Sequence, residues 1–108
     1  MCRREVFAMF AGFMASAQAV AGGTIEPARA QQLEQLVRHD CGSCHGMTLK
    51  GGLGPDIRAQ RLAGASVEAI TEIILNGVAN TPMPPWRSLL SEKEARWVAE
   101  FLLKERSR

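Results

Sequence analysis

Cys41-Gly42-Ser43-Cys44-His45 is the stretch on which the reading of this 108-residue chain turns. Two thiols stand three positions apart, and an imidazole directly follows the second. C-x-x-C-H is the attachment motif of a c-type haem. At this spacing both thiols reach vinyl groups on one haem edge and form thioethers. His45 then lies under the iron and supplies one axial nitrogen. Two other chemistries use the same residue types. A redox C-x-x-C pair normally sits in a β-α-β frame, and no strand pattern is visible here. A zinc site needs four ligands. His39, Cys41, Cys44 and His45 all fall within seven residues, with no second ligand pair elsewhere.

Outward from the motif, the chain reads as helices and loops. Pro27 to about His39 is the first predicted helix. Pro27 suits a first helical turn, and Ala30, Leu33, Leu36 and Val37 recur on one face. His39 reads as a polar residue at its end. Residues 47–64 are glycine-rich loop, with some helix expected over 58–62. Ser66 is a good N-cap for a second helix, Val67 to Asn76, stopped by Gly77. Its expected apolar face is Val67, Ile70, Ile73 and Ile74. Ser91-Glu92-Lys93-Glu94 is a capping box opening a last helix. Trp97, Val98, Phe101 and Leu102 form the stripe of that helix. With no alternating pattern, the expected fold class is all-α: three main helices and loops around one haem.

A haem iron takes a sixth ligand or leaves an open site. Met47 lies two residues past His45, and two residues span at most about 7 Å, too little to pass round the macrocycle. Met83 is 38 residues away, in Thr81-Pro82-Met83-Pro84-Pro85-Trp86. The prolines stiffen that loop, and a stiff loop can hold a weak thioether on iron. A lone Met more often fills a core. The proline frame and the separation from His45 favour ligation here. Pro55 follows His45 by ten residues. A backbone carbonyl of Gly54-Pro55 could accept the other ring N–H of an iron-ligating His. An ordinary loop proline is the competing reading. Trp86, Arg58, Arg61 and Arg87 could reach the haem propionates, although each arginine alone reads as surface.

The first residues read as an address. Met1-Cys2-Arg3-Arg4-Glu5 is a short, mostly basic start, and residues 6–14 are apolar. Ala17-Gln18-Ala19 and Ala19-Val20-Ala21 offer two cleavage sites. This is the pattern of a secretory signal peptide, residues 1–21, and implies a periplasmic destination. A buried N-terminal helix is the alternative. Cys2 precedes the apolar core and would leave with the signal. The domain is then 22–108, with net charge +1.

Composition excludes other classes. The whole chain carries 13 Lys+Arg against 11 Asp+Glu, which gives no electrostatic case for nucleic-acid binding. At 46% hydrophobic and 22% charged it reads as globular. No apolar run reaches the roughly 18–20 residues that span a bilayer.

The sequence resembles the class I cytochromes c. Four elements match in order: a helix leading into Cys41-Gly42-Ser43-Cys44-His45, then Gly54-Pro55-Asp56-Ile57, then Pro82-Met83-Pro84-Pro85-Trp86, then a terminal helix carrying Phe101. The resemblance implies one haem c held by two thioethers, with His45 and Met83 on the iron. It implies that the carbonyl of Pro55 holds His45. It also implies that Leu33, Leu36 and Val37 face Trp97, Val98 and Phe101. More narrowly, the loops resemble the small periplasmic mono-haem cytochrome associated with the haem-c/haem-d nitrite reductase of denitrifying bacteria.

The function implied is a non-enzymatic electron carrier, with redox partners docking at the haem edge, nitrite reductase among them. Lys50, Arg58, Arg61 and Arg87 are candidate docking charges. A factor in maturation or haem-d assembly of nitrite reductase is the alternative. A peroxidase-like enzyme would need a distal acid–base residue, and no obvious distal histidine is present.

Overall fold

The computed structural model describes residues 24–104. The signal-peptide reading, with Cys2, lies outside the described residues. Among the described residues, five α-helices make up the frame: α1 (Pro27–Leu36), α2 (Gly42–His45), α3 (Ala59–Leu62), α4 (Val67–Asn76) and α5 (Glu92–Lys104). A π-helical turn, Val37–Cys41, joins α1 to α2. There is no strand among the described residues, and the fold is all-α as expected.

Pro27 opens α1 at a position where a missing N–H costs nothing. The helix was expected to run to about His39. Instead it widens at Val37, and the Gly42 N–H reaches back to the carbonyl of Val37, five residues earlier. Helical chain therefore runs on, in a wider turn, into the Cys41–His45 motif. His39 lies exposed on this turn.

Ser66 caps α4, its Oγ accepting the Ala69 N–H at 3.0 Å. The buried stripe of α4 is Ile70, Thr71, Ile74 and Leu75, with Val67 half-buried beside it. Ile73, expected on that face, is 47% exposed. Residues 67, 70, 71, 74 and 75 follow the 3–4 spacing of one helical face, and position 73 falls off it.

The capping box of α5 forms as read. Ser91 Oγ accepts the Glu94 N–H, and the Ser91 N–H donates to Glu94 Oε1, both at 3.1 Å. Ala95, Val98, Ala99 and Leu102 are the buried stripe of α5. Trp97 and Phe101 flank it, stacked with ring centroids 5.3 Å apart. The Arg38 guanidinium lies over the Phe101 ring at 5.7 Å.

One core gathers these faces. Leu33 and Val37, Leu49, Ile70, Ile74 and Leu75, Leu90, Val98 and Leu102 are buried together, with Leu36, Trp97 and Phe101 at the margin. The expected meeting of the first and last helices is present. Each fully buried Leu or Val contributes about 1.5–3 kcal/mol. Arg29 Nε also donates to Glu94 Oε2 at 2.7 Å, tying α1 to the start of α5. The core thus fixes α1 against α5, and with it the motif at the end of α1's run.

Candidate haem site

His45 ends α2, and the chain folds straight back over it. Gly51 N–H donates to the His45 carbonyl, and Gly54 N–H donates to the Cys44 carbonyl, each at 2.7 Å. These bonds occupy carbonyls that a helix end leaves without partners. Ile57 N–H donates to the carbonyl of buried Leu49 at 3.0 Å. The loop from 46 to 57 is therefore pinned to the motif along its length.

That fold-back places Pro55 beside His45. The ring Nδ1 lies 2.7 Å from the Pro55 carbonyl oxygen. A carbonyl only accepts, so Nδ1 carries the proton and donates it. The neutral ring then has its lone pair on Nε2, the nitrogen a metal would take. Cys41 and Cys44 are half-buried free thiols one helical turn apart. Burial pushes the Cys41 thiol up to about 11, helped by the nearby charge of Asp40 and by Cys44.

Met83 and Trp86 lie on the second loop, between α4 and α5. Gly77 ends α4 at φ +69°, and a methyl there would stand 2.7 Å from the Met83 carbonyl oxygen. The Val78 N–H donates to that same oxygen at 3.2 Å. Thr81 Oγ1 donates to the Val78 carbonyl at 2.8 Å and accepts the Met83 N–H at 3.2 Å. Past the prolines, Trp86 and Arg87 donate backbone N–H groups to the carbonyls of Ile74 and Leu75. The Arg87 guanidinium grips Asn76 Oδ1 at 2.9 Å. Both Met83 and Trp86 are half-buried, and Trp86 packs on the core.

The structure thus joins His45 to Pro55 directly and builds Met83 into a braced loop on α4. Among the described residues no hydrogen bond links the two loops. Met47, set aside in the sequence, is 63% exposed. Sequence reasoning missed the pairing of Asp56 with Arg58. Arg58 Nη2 donates to Asp56 Oδ2 at 2.7 Å, and the Arg58 N–H donates to Oδ1 at 2.9 Å. An Asp two residues before an Arg, directly after a turn proline, is the signal that pointed to it.

Comparison with known proteins fixes the family. Residues 28–102 match the family described as cytochrome C oxidase, cbb3-type, subunit III. The chain is 52% identical over 82 residues to cytochrome c55X of Paracoccus denitrificans, spanning 76% of this chain and 80% of that one. It is 47% identical over 75 residues to cytochrome c55X of Pseudomonas aeruginosa, spanning 69% of this chain and 63% of that one. The chain is a class I cytochrome c. A solved structure of the c-type cytochrome NirC superposes with a TM-score of 0.72 at 42% identity, covering 74% of this chain and 94% of that one. Cytochromes c are electron-transfer proteins and not enzymes, and the family implies haem c and redox partners.

The residues present suit that group. The cytochrome has two thiols on one turn, an imidazole with its Nε2 lone pair free of the proton, and a carbonyl fixing the tautomer. No helix of its described residues is long and apolar enough to cross a membrane.

Proposed function

We propose that this cytochrome is a periplasmic mono-haem carrier of single electrons, delivering them to a denitrification enzyme such as nitrite reductase. Cys41 and Cys44 hold one haem c through two thioethers. His45 and Met83 would hold its iron, with the Pro55 carbonyl holding His45 in place, and Trp86 would lie beside it. The 2.7 Å contact between His45 Nδ1 and the Pro55 carbonyl carries this reading. It fixes the ring in the tautomer and direction an axial ligand needs.

Haem c supplies an iron that changes oxidation state by one electron. The chain's part is to keep that iron in one coordination. His45 is restrained by its bond to Pro55. Met83 is restrained by Thr81, Val78 and the proline frame. If His45 and Met83 both held the iron, the protein would leave it no position for a substrate, which suits a carrier. His/Met ligation also raises the reduction potential.

The denitrification setting rests on similarity to cytochrome c55X and NirC. Residues 46–66 and 77–91 carry Lys50, Arg58, Arg61 and Arg87 against one carboxylate, Asp56. Those segments carry Pro55, Met83 and Trp86 of the proposed site, and their basic charges suit an acidic partner surface.

The deciding experiment is absorption spectroscopy of the protein matured with covalent haem. Low-spin reduced bands and a far-red methionine–iron band are expected. Met83→Ala should keep the haem, lower the potential and admit exogenous ligands. An unchanged spectrum and potential in Met83→Ala would refute the axial assignment. In a deletion strain, slow electron delivery to intact nitrite reductase is expected. Loss of the mature reductase would replace the carrier role with one in its assembly.

A further inference from the structure

The carbonyl that holds His45 belongs to the peptide linking Pro55 to Asp56. Its direction depends on how both sides of that peptide are fixed. The proline ring fixes only its own φ. The three residues that follow are fixed by side-chain and backbone bonds. Asp56 Oδ1 accepts the Arg58 N–H at 2.9 Å, closing an Asx turn over 56–58. Both Asp56 oxygens also accept from the guanidinium, at 3.0 and 3.2 Å from Nε and 2.7 Å from Nη2. Between them, the Ile57 N–H is anchored on the Leu49 carbonyl. The Asp56 and Arg58 side chains are only 16% and 22% exposed.

We propose that Asp56 and Arg58 are positioning residues for His45, acting through the Pro55 carbonyl and thereby setting the reduction potential. The inference rests on the reading of His45 as an axial ligand. A planar guanidinium fork on a carboxylate is a directional contact, and here it locks the residue bonded to the carbonyl carbon of Pro55. Bonds to Arg58 hold the Asp56 carboxyl down to about 2, so the fork stays charged at neutral pH. A firm Nδ1–H···O bond gives the imidazole anionic character and favours the oxidised iron. A loosened Pro55 carbonyl weakens that bond and raises the potential.

Charge alone makes a different prediction, and the sign separates the two. Loss of a carboxylate raises the potential by charge, and loss of a guanidinium lowers it. Positioning through Pro55 predicts a rise in both cases. Asp56→Ala with Arg58→Ala removes both charges together and leaves the net charge unchanged.

The test uses the haem-loaded protein. Redox titration reads the potential, and NMR of the reduced state reads solvent exchange of the His45 Nδ1 proton. The double variant should show a raised potential and exchange roughly tenfold faster, on the scale of one lost hydrogen bond. Arg58→Ala alone should also raise the potential. A double variant with parental potential and exchange overturns the proposal. So do single variants that move in opposite directions with unchanged exchange. If variants at Asp56 fail to load haem, Arg58→Ala decides, because the Asx turn needs only its backbone N–H. A lowered potential with parental exchange then overturns the proposal. A parent protein lacking a His45-ligated spectrum would overturn the ligand assignment itself, and is seen before any variant is made.

Discussion

Gly54 abuts the His45 imidazole so closely that a methyl at position 54 would stand 2.7 Å from Cε1 and 2.8 Å from Nδ1. Ring and backbone cannot both stay in place around such a methyl. Gly54→Ala should push the imidazole off the Pro55 carbonyl and cost about 1–3 kcal/mol, as overpacking does. Denaturant unfolding of the haem-loaded protein measures the loss. Parental stability and parental His45 Nδ1 proton exchange would show that the loop gives way instead.

Gly77 does for the Met83 loop what Gly54 does for His45, with backbone strain added. Its φ of +69° with ψ of −172° lies in a region essentially reserved for glycine and disfavours any L side chain by about 1–3 kcal/mol, and a methyl would meet the Met83 carbonyl at 2.7 Å. Gly77→Ala should loosen the loop without removing the thioether. The expected signs are a weaker methionine–iron band and easier displacement by added imidazole. Imidazole affinity equal to the parent's would sink this account of Met83.

Glu94 has two roles at the start of α5, and pH separates them. Its hydrogen bond from Arg29 is the main reason its carboxyl titrates below the usual carboxylate range. A carboxyl lowered on folding adds stability above its unfolded pKa, near 4.3, and loses it as pH falls through the folded value. Glu94→Gln keeps an oxygen for the Ser91 N–H but removes the charge. It should be less stable than the parent at pH 7 by about 0.2–1 kcal/mol, the range for exposed ion pairs. That gap should close as pH falls below 4. A gap that persists unchanged at low pH would assign the effect to the cap alone.

Much of this could be read from residue order, because the signals were local. The capping residues Ser66 and Ser91–Glu94 bond to groups three residues away, so sequence spacing specifies them. Cys41, Cys44 and His45 share one turn for the same reason. The widened turn at Val37–Cys41 was not legible. No residue in Val37-Arg38-His39-Asp40 marks it: there is no proline or glycine among them to break the α-helical pattern. Ile73 was misplaced because both faces of α4 carry isoleucine, and only the packing of Leu75 and Thr71 chooses between them. The pressure of Gly54 on His45 joins residues nine apart through a folded loop. Glycine marks freedom in a sequence but does not say which neighbour needs it.

Salt dependence tests the partner surface. Lys50, Arg61 and Arg87 are exposed side chains on the segments that carry the site residues. Net charge near zero cannot steer the whole molecule, so steering must come from these local charges. Their field reaches about 8 Å at physiological ionic strength and about 30 Å at 0.01 M. Second-order electron delivery to an acidic partner should therefore slow steeply as salt rises. Lys50→Glu and Arg61→Glu together should slow it about tenfold at low salt and leave the absorption spectrum unchanged. The deficit should shrink toward nothing at high salt, where screening removes the charges from parent and variant alike. A rate independent of salt in the parent would show that docking is apolar, through exposed side chains such as Leu53 and Leu89, which are 74% and 65% exposed.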